Sequence, residues 1–151
     1  MTTELFLSIL FRWMHILAAV IAIGGTVFMR FVLLPSVRET LAEEQRAALH
    51  AKLVGRWRLV VMICIAALLV SGLYNFMTTS LEKAQHHAAY HPLFGVKFLA
   101  ALGVFFIASA LTGRTTALAG MRRSANSWML VAVVLGVTVI LISGVLRNLG
   151  G

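Results

Sequence analysis

Four long apolar stretches, at residues 5–28, 59–79, 93–112 and 128–146, occupy most of this sequence. About 20 apolar residues in a helix cross the hydrocarbon core of a bilayer. One such stretch can be the buried helix of a soluble domain. Four of them in 151 residues leave too little polar surface for that. The chain is 60% hydrophobic and 12% charged, with a mean hydropathy of +0.94, whereas a soluble domain is about a quarter charged. Lipid offers no partner to an open backbone, so the spans are expected to be helices. The expected fold is all-α: one integral membrane domain over residues 1–151, a four-helix bundle whose short connections make it run up-down-up-down.

The formal charge of +8 suggests a nucleic-acid partner only until its placement is read. Arg30, Arg38, Arg46, Lys52, Arg56 and Arg58 follow the first stretch, and Arg114, Arg122 and Arg123 follow the third. The loop after the second stretch holds only Lys83, and no Lys or Arg precedes residue 5. Positive charge collects on cytoplasmic loops, so both termini and the second loop are expected outside, the protein sitting in a cell inner membrane. The partner is the bilayer, not nucleic acid. A single cysteine, Cys64, permits no intrachain disulfide. The first apolar run is too long for a cleavable signal peptide and lacks a basic leading segment. Helix formers over residues 39–53, with Pro35 just ahead, suggest a separate charged helix in the first loop. Leu69-Val70-Ser71-Gly72-Leu73 and Leu141-Ile142-Ser143-Gly144-Val145 resemble each other near the ends of spans two and four, a pattern of two similar hairpins related by an axis along the membrane normal.

His15 is the residue that points to function. An ionisable group at membrane depth is a functional-site hypothesis by default. Residues three and four apart through it are Arg12, Ala19, Ala22, Thr26 and Met29, mostly small or polar, the kind of face that membrane helices turn inward. Cys64, Ser71 and Asn75 share a face of span two, Lys97, Ala101, Val104 and Ala108 one of span three, and Gly136, Ser143 and Arg147 one of span four. His15 stands about 15 Å past Leu5, and Lys97 about 6 Å past Leu93. Asn75, His91, Lys97 and Arg147 are expected to gather with His15 in the outer half of the bundle.

Two chemistries suit such a cluster. Haem iron takes axial His, sometimes with Met. Haem b would use His15, with His91 or Met77 opposite, and Arg12, Lys97, Arg147 and Asn75 around the propionates. Copper is the alternative: imidazole and thioether ligands suit it, and His86, His87, His91 and Met77 lie near one another in sequence. A third reading is a non-catalytic membrane-complex subunit, with His15 a packing residue hydrogen-bonded to Ser, Thr or Asn. Arg12 and Lys97 have a plainer reading as well, snorkelling to the headgroups.

Arg12-Trp13-Met14-His15-Ile16-Leu17-Ala18-Ala19 with Gly24-Gly25 and Pro35 resembles the first-helix signature of the CopD-like membrane proteins, which include the copper-resistance D domain and the HemJ-type protoporphyrinogen oxidases. Leu69-Val70-Ser71-Gly72-Leu73-Tyr74 and His91-Pro92-Leu93-Phe94-Gly95-Val96-Lys97 are similar as well. The resemblance implies that His15 and Lys97 are functional positions. It implies haem b and an oxidoreductase catalysing protoporphyrinogen oxidation in one branch, with His15 and Lys97 as catalytic residues, and copper uptake or tolerance in the other. The chain departs from the pattern at Ile21-Ala22-Ile23, where an aromatic residue often precedes the Gly-Gly pair. Expected partners beyond lipid are haem or porphyrin, an electron-transfer protein, and a second copy of the chain.

Overall fold

Every long apolar run folds as helix, and the helices extend well beyond the runs themselves. The computed structural model describes residues 3–80, 90–113 and 115–149, without the side chains of 79, 80, 90, 91, 147 and 149. Helix α1 (Thr3–Phe28) passes through a π turn at Met29–Leu33 into α2 (Leu34–Thr40) without a break. The wide turn has a local cause. Pro35 lacks an N–H, and in a regular helix its ring would strike the carbonyl four residues back. In the π turn the Leu34 N–H instead reaches the Met29 carbonyl, five residues back.

Helix α3 (Glu43–Asn75) begins after Leu41 and Ala42, which are extended, and runs into a second π turn at Phe76–Ser80. Glu43 and Glu44 lie in its first turn, where negative charge suits the helix dipole. The separate loop helix expected over residues 39–53 is therefore not formed. Its first residues end α2 and the rest open α3, because Ala47, Ala48, Leu49 and Ala51 propagate helix directly into the apolar run. Helix α4 (Tyr90–Thr112) has Pro92 in its first turn. A short 3₁₀ turn (Thr116–Leu118) and α5 (Ala119–Arg123) lead to α6 (Ala125–Leu149).

Four of these helical stretches are long and apolar enough to cross a membrane. They pack antiparallel in chain order. On α1 and α3, Phe11 stacks on Tyr74 with ring centroids 4.1 Å apart, His15 meets Ser71, and the Trp57 ring lies over Gly25. Phe76 stacks on Phe94 at 4.8 Å between α3 and α4, and Gly103 faces Leu135 between α4 and α6. Ile23 against Gly136 and Arg30 with Asn126 close the ring between the first helix and α6. The fullest interfaces are α1 with α3 and α4 with α6. The bundle is thus two hairpins set side by side.

The buried positions are mostly small: Ala18, Cys64, Ser71, Ala110 and Ala132. Leu17, Leu59, Leu99 and Leu141 are each more than 60% exposed. A soluble core would invert this order. Lipid is as apolar as Leu, so a membrane bundle packs through small residues and leaves its large ones outside.

Candidate functional site

The small face of α1 turns inward: Ala18 and Met29 are buried, and His15, Ala19, Ala22 and Thr26 are half-buried. Arg12 does not follow. It is exposed at the surface of α1. Lys97, on α4, is half-buried and close enough to His15 for the two to interact electrostatically. The chain has no Asp, and its Glu residues lie at 4, 39, 43, 44 and 82. No carboxylate from the interior of any span is therefore available to either group.

His15 is seated on the Ser71-Gly72 pair of α3. Ser71 is completely buried. Its hydroxyl donates to the Ala67 carbonyl at 2.5 Å, so its oxygen is left to accept at 2.8 Å from the ring. That geometry makes His15 Nδ1 a protonated nitrogen. The ring also shows α3 its Nδ1–Cε1 edge: a Cβ at Gly72 would stand 3.5 Å from Cε1 and 3.9 Å from Nδ1. Among the described residues the ring's hydrogen-bond partners are Ser71, at Nδ1, and the Leu68 carbonyl. A histidine held through Nδ1 is the arrangement that metal-ligating histidines use, with Nε2 as the ligand or as a proton acceptor.

The other expected site residues are distributed unevenly. Asn75 is half-buried one turn beyond Ser71, at the same end of α3 as Tyr74. Met77 is 63% exposed on the π turn that ends α3. His91 is in the first turn of α4 and Arg147 in the last part of α6, but both side chains lie outside the described residues. His86 and His87 lie outside them altogether. Among the described residues no three His, Cys, Asp or Glu side chains gather as a metal-ion site. Cys64 is buried and free.

Ser71 and Gly72 as the seat of His15 were only half visible in the sequence. They stood out as a repeated Ser-Gly pair, not as the partner of a residue 56 positions away. A second signal points to Lys97: Lys97-Phe98-Leu99-Ala100-Ala101 repeats His15-Ile16-Leu17-Ala18-Ala19, just as Ser143-Gly144 repeats Ser71-Gly72. Lys97 thus stands in the sequence of the second hairpin where His15 stands in the first.

Together these features define a bundle of four membrane-length helices with one histidine oriented from a neighbouring helix and a lysine facing it from the other hairpin. No family model, curated protein or solved structure matches the chain.

Proposed function

We propose that this chain is an inner-membrane protein that binds haem b through His15 and works in redox or porphyrin chemistry. The observation that carries the reading is the His15–Ser71 hydrogen bond, which spends Nδ1 on the protein, so that Nε2 would be the nitrogen on iron. Lys97 supports it. Its ammonium has no carboxylate within the spans, and a haem propionate supplies one. His91 is the proposed second ligand, from the start of α4. Bound haem would supply one-electron chemistry; the chain's own residues would hold the ring of His15 and pair the propionates. The resemblance to the CopD-like proteins leads to the same positions, His15 and Lys97. The proposed orientation puts the Arg-rich end in the cytoplasm and the His15 end outside.

A second reading has the same hydrogen bond in its favour: His15 and Ser71 lock α1 to α3 and bind nothing. Optical spectra of the protein purified from haem-replete cells, oxidised and reduced, separate the two. A Soret band lost in His15→Ala and kept in Arg12→Gln supports the ligand. Absence of any Soret band in the wild type leaves the helix lock.

A further inference from the structure

At the Arg-rich end, a cavity of about 540 Å³ opens between α3 on one side and the end of α4 with α5 on the other. His50, Val54, Gly55 and Arg58 line it from α3, and Thr112 and Arg122 line it from the other side. Among the described residues no acidic residue lines it. Glu43, near the start of α3, is paired with Arg46 at 3.3 Å.

The Arg122 guanidinium is held in place but not satisfied. Its Nη2 donates to the Thr115 carbonyl at 2.8 Å, while its Nη1 is buried with no partner among the described residues. A buried charged donor left unpaired is costly. The Thr112 hydroxyl donates to the Ala108 carbonyl and the Gly113 N–H to the Ser109 carbonyl, so neither has a donor to spare for the cavity. The side chains with donors to offer at the cavity wall are therefore Arg58, Arg122 and His50. Two arginines on opposite walls suit the oxygens of a phosphate group. The depth fits as well. Arg58 directly precedes one apolar run and Thr112 closes another, which sets the cavity at the boundary between hydrocarbon and headgroups.

We infer that this cavity is a phosphate-binding site, its ligand the phosphate of an anionic phospholipid headgroup or of a small soluble ester. Basic pockets between membrane helices hold lipid headgroups in this way. The test uses the full-length protein in mild detergent, by native mass spectrometry with phosphatidylglycerol and phosphatidylcholine and by calorimetry with inorganic phosphate. The wild type is expected to retain phosphatidylglycerol over phosphatidylcholine. Arg58→Gln and Arg122→Gln should each lower retention about fivefold. Gly55→Leu, which keeps every charge but fills open space at the cavity wall, should lower it similarly. Lys52→Gln, exposed and outside the cavity, should not. Displacement of lipid by inorganic phosphate identifies a soluble ester as the ligand, and its failure to displace identifies the headgroup. Arg58 is exposed and a Cβ at Gly55 meets open space, so those variants stay informative if Arg122→Gln misfolds. Equal retention by wild type, Arg58→Gln and Gly55→Leu would overturn the inference.

Discussion

His15 can sit in an apolar helix because its ring finds Ser71, and Ser71 can be fully buried because its own hydroxyl is spent on Ala67. Ser71→Ala should therefore destabilise the protein by about 0.6–1.7 kcal/mol, the range of interhelical hydrogen bonds in membranes, read as a lower midpoint in detergent unfolding. Under the haem reading the same variant broadens or shifts the Soret band without abolishing it. An unchanged midpoint would show that the hydrogen bond contributes nothing. Gly72 sets how close the ring can come: Gly72→Ala adds an ordinary contact and keeps it seated, whereas Gly72→Leu displaces it and removes the band. The Gly24-Gly25 pair divides in the same way. A Cβ at Gly24 meets open space, but one at Gly25 runs into the Trp57 ring. Gly25→Ala should cost about 1–3 kcal/mol through overpacking, while Gly24→Ala should be neutral or stabilise by up to about 1 kcal/mol. Equal midpoints for the two alanine variants would remove the assigned role of Trp57. A sequence shows two adjacent glycines as equivalent; the Trp57 ring, from another helix, makes them unequal.

At the scale of the elements, the two hairpins are each well packed, and the seam between them is thinner. At the Arg-rich end Arg30 spans it, with Nη1 donating to Asn126 Oδ1 on α6 and the guanidinium over the Phe31 ring at 5.2 Å. Among the described residues Arg30 Nε is buried without a partner. Asn126→Ala should therefore orphan a second donor and lower stability by about 1–3 kcal/mol. Asn126→Asp should restore or exceed the wild-type midpoint, because a carboxylate gives the guanidinium a charge-assisted partner. If Asn126→Asp destabilises as much as Asn126→Ala, the clasp is not electrostatic. The apolar runs made the four helices legible. Their length was not legible, because the charged residues after residue 28 read as loop while the backbone continues as helix to Thr40 and restarts at Glu43. The π turn before Pro35 explains how the first helix passes a residue that ordinarily ends one.

For the whole molecule, four membrane-length helices put both ends of the chain on one side and the Leu41–Ala42 connection on the other. In a Cys64→Ala background, Thr3→Cys and Asn148→Cys should react with an impermeant maleimide added to intact cells, and Gln45→Cys only after permeabilisation. The reverse pattern would invert the proposed orientation. Composition and hydropathy were enough to establish that the chain is all-helical and built for lipid, because every apolar run must satisfy its backbone internally there and only a helix does so within one segment. Charge placement was enough to give that bundle a basic end. The sequence also marked His15 and Lys97, since ionisable residues in apolar runs need a reason to be there. Only the tertiary structure decided that His15 rests on Ser71 and Gly72, that Arg12 turns away to the surface, and that Arg58 and Arg122 share a cavity. The physical reason is one of range. Hydropathy and helix propensity act along the chain, while the partner of a buried polar atom is chosen across the bundle, where residues such as 15 and 71 become neighbours only after the helices pack.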